Sequence, residues 1–224
     1  MPEIYAQDWW LIQRFGKQRY LLLSLVAILV LLPLLSSQET SRFWTVMILT
    51  LIMVTGPLAL ATQRFDFYFT LLLGVVMAST SWLGNYLEGS VILIIDQTTT
   101  VLFFLMLGVL IFKQFIFSND GVTEENLFAA VNAYLCIGIM YAFAYRFLML
   151  IDPSALSGTF LGDHEISAYV YLSFVTITTL GYGDITPQSE LAAILTYSEA
   201  VMGQFFMALV VARIVGIWVA DKQR

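Results

Sequence analysis

The sequence predicts an all-α membrane protein of six transmembrane helices, with a short re-entrant helix between the fifth and the sixth. Three observations predict it. Hydrophobic residues make up 59% of the 224-residue chain and charged residues only 12%, too little charge to cover a soluble domain of this size. The apolar residues fall in long runs rather than one-sided stripes, so the solvent they match is lipid. Between the last two runs, Asp152–Glu190 is neither lipid-soluble throughout nor polar throughout.

Five runs approach the roughly 20 residues that carry a helix across about 30 Å of hydrocarbon. They are Tyr20–Ser36, Phe43–Ala61, Phe67–Leu83, Val91–Phe112 and Leu127–Ile151. A sixth, Leu191–Val219, is longer and carries Glu199 and Arg213. Arg14, Lys17 and Arg19 precede the first run as they would in a signal peptide, but no small-x-small cleavage site follows, and the run is read as an uncleaved span. The expected organisation is a cytoplasmic segment (1–19), a peripheral four-helix domain (20–117), a cytoplasmic linker (118–126), a domain of two spans and the re-entrant segment (127–219), and a short cytoplasmic tail (220–224). No cytoplasmic ligand-binding domain is expected after that tail.

With the N-terminus in the cytoplasm, Arg14, Lys17, Arg19, Arg64, Lys113, Arg213, Lys222 and Arg224 fall inside, and of the 10 basic residues only Arg42 and Arg146 fall outside. This is the positive-inside pattern, with both termini cytoplasmic. The outer side collects Glu39, Glu88, Asp152, Asp163, Glu165, Asp184 and Glu190, which would concentrate cations there. The single cysteine, Cys136, sits in an apolar run and excludes an intrachain disulfide.

Within Asp152–Glu190, Asp152–Gly158 reads as an extracellular turn. Ser167–Thr178 reads as a helix about 18 Å long, too short to span and suited to re-entry behind protein. Thr-Thr-Leu-Gly-Tyr-Gly-Asp follows over 178–184. Stripping water from a cation is costly unless other oxygens replace it, and a backbone whose successive carbonyls face one axis can supply them. Gly181 and Gly183 permit that backbone, and Thr179 adds a hydroxyl. Leu180 and Tyr182 point away and are expected to wedge the strand against its helix. The helix C-terminus, negative by its dipole, favours a cation in the cavity below.

This segment resembles the selectivity filter of potassium channels, departing from it at Leu180, where valine is usual and only the carbonyl faces the ion. The likeness is specific over Tyr171–Pro187 and looser over the last two spans. The whole resembles the bacterial six-span potassium channels that lack a charged voltage sensor. The resemblance implies potassium held at Thr179, Leu180, Gly181 and Tyr182, and a filter braced by a hydrogen bond from Tyr171 to Asp184. It also implies a bacterial inner-membrane location. One such loop per chain means that a four-fold ring needs four chains, so a homotetramer is expected in the lipid bilayer.

Thr186-Pro187 reads as the cap and first residue of the sixth helix. Gly203 stands where similar channels keep a hinge glycine, although a small residue there also serves close helix packing. Gln204, Met207, Val211 and Val215 share a face that by resemblance lines the conduit and its gate. The fourth run, Val91–Phe112, has no basic residue until Lys113, which excludes a charge ladder of the voltage-sensing kind.

Asp96, Arg146, Glu199 and Arg213 are charges within apolar runs. Arg213 is expected to snorkel and Arg146 to pair with Asp152 or a filter-supporting group. Glu199 is expected to support the short helix or contact a neighbour, and Asp96 to bond another helix or subunit. The acidic loop 118–126 reads as a turn with an N-cap at Thr123, Glu124 and Glu125 lying on the helix dipole. Its spacing does not match an EF-hand. His164 is read as a surface histidine, with pH sensing the other reading. No nucleophile–base set, phosphate loop or cofactor motif is visible, so neither an enzyme, nor a cofactor beyond the permeant ion, nor a nucleic-acid partner is expected. A non-conducting scaffold subunit and a potassium-transporter subunit are the alternatives. The intact glycines speak against the first, and the single strong loop against the second.

Overall fold

The structure, a computed structural model, describes residues 18–35, 41–60, 64–86, 89–117, 123–158 and 166–222. Helices α1 (Gln18–Leu35), α2 (Ser41–Ala59), α3 (Arg64–Tyr86), α4 (Ser90–Phe117) and α5 (Glu124–Ile151) come first. Strand β1 (Leu156–Gly158), short helix α6 (Ile166–Ile177), strand β2 (Ile185–Pro187) and α7 (Glu190–Lys222) follow. Among the described residues, four helices are long and apolar enough to cross a membrane: α3, α4, α5 and α7. The described apolar stretches of α1 and α2, Gln18–Leu34 and Phe43–Ala59, are shorter.

Successive helices α1 to α5 pack side by side, α5 also meets α1, and α6 is held between α5 and α7. The α4–α5 contact is close because Gly108 has no side chain: a Cβ there would stand 3.2 Å from Cβ of Cys136. Phe104 and Phe143 stack across the same seam with centroids 6.0 Å apart. In lipid this kind of fit, more than water exclusion, holds helices together. Away from the seams, Leu23, Leu72, Leu102 and Val109 are exposed, an apolar surface that suits lipid.

Polar ties lie at both ends of the bundle. Buried Gln18 donates its N–H to Glu125 Oε2 (2.9 Å) and its Nε2 to the Ala59 carbonyl (3.0 Å). It accepts from Asn132 Nδ2 at its own carbonyl (2.8 Å) and at Oε1 (2.9 Å). Thr123 caps α5 as expected, its side chain accepting from the Asn126 N–H. Glu125 lies in the first turn of α5 but bonds the first described N–H of α1, one of the donors a helix start leaves open. Asp96 is an interhelical acceptor, taking Ser81 Oγ of α3 at 2.5 Å, and Gln97 Nε2 at 2.9 Å. Lys113 of α4 pairs with the buried Asp66 of α3 at 3.7 Å.

Two expectations are corrected here. Asp152–Gly158 is not turn throughout: β1 pairs antiparallel with β2 in the register Leu156 to Pro187, Ser157 to Thr186 and Gly158 to Ile185. Thr186 and Pro187 therefore do not start the last helix. Pro187, with fixed φ and no N–H, suits a strand end, and the Gln188 N–H then reaches the Ala155 carbonyl at 2.8 Å. The cap is Ser189, whose Oγ accepts from the Ala192 N–H at 3.2 Å. Ser189→Ala should cost about 1 kcal/mol, read as a lowered thermal midpoint of the purified protein. Thr186→Ala should stay within about 0.5 kcal/mol, and the opposite ranking would return the cap to Thr186.

Candidate functional site

Helix α6 is apolar and only 12 residues long, and its C-terminal carbonyls need partners inside the protein. The first residues of the TTLGYGD segment supply them. The Leu180 N–H bonds the Val175 carbonyl (2.9 Å), the Thr179 N–H bonds Thr176 (2.9 Å), and the Gly181 N–H shares Val175 (3.2 Å). With Thr179 at φ 59, this is a Schellman closure, in which a left-handed residue turns the chain back over the helix end. Glycine usually takes that place. A β-branched residue there is a strained choice of the kind that gathers at functional sites.

Positive φ recurs at alternate residues: Thr179 (59°), Gly181 (56°) and Gly183 (78°), with Leu180 and Tyr182 between. A Cβ at either glycine would meet nothing within 4 Å, so backbone conformation, not space, calls for glycine there. At the far end, the Tyr171 hydroxyl donates to Asp184 Oδ2 at 2.5 Å, and Asp184 Oδ1 accepts from the Ile185 N–H at 3.1 Å. The β1–β2 pair begins at this point. Gly158 admits it, because a Cβ there would collide with the Asp184 carbonyl and stand 2.9 Å from Cα of Ile185.

Leu180 lies against the short helix, but both it and Tyr182 keep an open side. Leu180 lines a hollow with Tyr171, Phe174 and Val175 of α6 and with Leu29 and Pro33 of α1, yet is 54% exposed, and Tyr182 is 67% exposed. One chain supplies only part of the wall behind the strand.

Two glycines let α6 sit deep between its neighbours. On α5, a Cβ at Gly138 would lie 2.7 Å from the Phe174 ring. On α7, a Cβ at Gly203 would lie 2.6 Å from the Ile177 carbonyl oxygen. Gly203 thus makes the close packing that was one of its two readings, within a helix that is continuous from Glu190 to Lys222. In the sequence Gly138 gives no signal beyond a small residue in an apolar run.

Beside Thr179, a hollow is lined by Ala200, Val201, Gln204, Phe205 and Ala208 of α7. Of the expected α7 face, Gln204 lies in it, while Met207, Val211 and Val215 are exposed along the helix without lining it. Arg213 does more than snorkel: its Nε donates to the Phe115 carbonyl at 2.8 Å, with the guanidinium 5.5 Å from the centroid of the Phe115 ring. Arg146 acts electrostatically on Tyr169 of α6, while Asp152 Oδ1 accepts from Ser154. Glu199 is fully buried and bonds both Ser173 of α6 and Tyr145 of α5. His164, Arg14, Lys17, Glu39, Glu88, Asp163, Glu165 and 118–122 of the acidic loop lie outside the described residues.

The glycine contacts predict a ranking. Gly203→Ala and Gly138→Ala overpack a seam and should each destabilise by about 1–3 kcal/mol. Gly216→Ala, where a Cβ meets nothing within 4 Å, should not destabilise. Thermal unfolding of the three purified variants checks it.

Residues 130–219 match a family model described as "Ion channel". The match starts in α5, runs through α6 and the alternating segment, and ends within α7. No curated protein and no solved structure matches the chain. An ion-channel segment carried among several long apolar helices makes this an integral membrane protein built for ion transport.

Proposed function

We propose that the chain is one subunit of a homotetrameric, potassium-selective channel with six spans and both termini in the cytoplasm, set in a bacterial inner membrane and without enzymatic activity. The observation that carries the reading is the alternation of positive φ at Thr179, Gly181 and Gly183. Alternation of this kind turns successive carbonyls to one side, as a strand that replaces the water around a cation must. The permeant potassium ion is then held by the carbonyls of Thr179, Leu180, Gly181 and Tyr182 and by the Thr179 hydroxyl.

The half-exposed Leu180 and Tyr182, and the apolar residues left open along α7, support a neighbouring copy as the missing wall. The Tyr171–Asp184 bond supports a filter tied at its outer end to its own helix. Below it, Gln204, Met207, Val211 and Val215 line the conduit. The absence of basic residues in α4 before Lys113, itself paired with Asp66, speaks for conduction without steep voltage dependence.

In liposomes bearing a potassium gradient, flux should greatly exceed that with sodium and be blocked by barium, a divalent ion of similar size. Equal permeability to sodium and potassium would refute the reading. Gly181→Ala, which forces a side chain into a left-handed backbone at about 1–2 kcal/mol per chain, should abolish flux in tetramers that still assemble. Tyr171→Phe keeps the ring and removes the donor. It should speed the loss of current under steady conditions, with partial rescue by raised external potassium, and Asp184→Asn should do the same. Unchanged current stability in Tyr171→Phe would remove the pair from the mechanism.

A further inference from the structure

Glu199 is a fully buried carboxyl inside an apolar helix, facing α5 and α6 behind the filter. Its Oε2 lies 2.5 Å from the Tyr145 hydroxyl, and its Oε1 lies 2.5 Å from Ser173 Oγ. Ser173 Oγ in turn lies 2.6 Å from the Gly138 carbonyl oxygen. The Gly138–Phe174 contact described above brings that carbonyl within reach. The other hydroxyls on this side of α5 are engaged: Tyr141 with Ser198 (3.1 Å), and Tyr134 with the Ile177 carbonyl (3.4 Å).

The three oxygen–oxygen contacts need three hydrogens. Tyr145 supplies one and Ser173 supplies one, because a serine hydroxyl has a single hydrogen to donate. If Glu199 were a carboxylate, Ser173 would face two bare acceptors, and one of the contacts would set two oxygens together with no hydrogen between them. The carboxyl is the one group that can carry the third. Both its oxygens are met by neutral hydroxyls, whereas a charge held inside a membrane span calls for a charged partner or water.

We infer that Glu199 is a positioning residue for the filter and acts in its acid form. Its proton goes to Ser173, which leaves that hydroxyl's hydrogen for the Gly138 carbonyl, so that α5, α6 and α7 are stitched at one point. Ser173 lies six residues before Thr179, less than two turns from the Schellman closure, so a displaced stitch moves the first residue of the filter. The inference rests on the channel reading for its consequence but not for its chemistry.

The test uses the full chain, purified as the assembled tetramer and reconstituted in liposomes. Infrared difference spectra should show a protonated-carboxyl band at neutral pH that is lost in Glu199→Gln, and a wild type without that band overturns the acid form. Glutamine can donate through Nε2 to Ser173 and accept through Oε1 from Tyr145, so Glu199→Gln should keep potassium flux within about twofold. Glu199→Ala and Ser173→Ala leave buried partners unsatisfied and should lose roughly tenfold. Glutamine as impaired as alanine overturns the acid form, and alanine variants at wild-type flux overturn the positioning role. Should Glu199→Ala fail to assemble, Ser173→Ala carries the flux test. Wild-type liposomes without potassium-selective flux would defeat the channel reading, while the infrared band would still decide the proton.

Discussion

The end of α6 is the constraint on which the rest of the structure depends. A 12-residue apolar helix too short to cross a membrane presents carbonyls that lipid cannot satisfy. The next residues return over the helix end and bond Val175 and Thr176, so the segment that follows leaves the helix already in a left-handed turn. Helix termination and the start of the alternating strand are the same three residues. A change that loosened the closure would release the strand as well.

Everything packed around α6 serves to hold that end in place. Gly138 lets α5 close on it against the Phe174 ring, and Gly203 lets α7 close on it against the Ile177 carbonyl. Tyr171 fastens the far end of the strand, and β1–β2 ties the chain leaving it to the chain that left α5. Glu199 closes the gap between these supports from behind. The wall on the remaining side is open in one chain, where Leu180 and Tyr182 are more than half exposed.

Much of this was legible in the sequence because it is written in long apolar runs and in glycine. The extents of the helices, the short length of α6, the Thr123 cap and the pairing of Tyr171 with Asp184 follow from hydropathy, from spacing, or from the resemblance the TTLGYGD segment carries. What stayed hidden is mostly made by backbone. Three-residue strands leave no periodic signal, and in the sequence the residues of β1 and of β2, with its proline, look like a turn and a helix cap. Thr179 is not glycine, so its left-handed conformation gave no sign. Arg213 and Glu199 stood out as charges in apolar runs, but their partners are far along the chain, and nothing local names a backbone carbonyl 98 residues away.

Arg213 has a mechanical meaning beyond its single bond. Phe115 lies in the last turn of α4, where carbonyls have no helical donor, and the guanidinium fills that place while resting against the ring. Three struts are thereby closed into a frame: α7 to α4 through Arg213, α4 to α5 along the Gly108–Cys136 seam, and α5 back to α7 through Tyr145 and Glu199. A triangulated frame does not yield at one corner alone. Bending any member loads the other two, and α6, braced inside it by α5 and α7, shares that load.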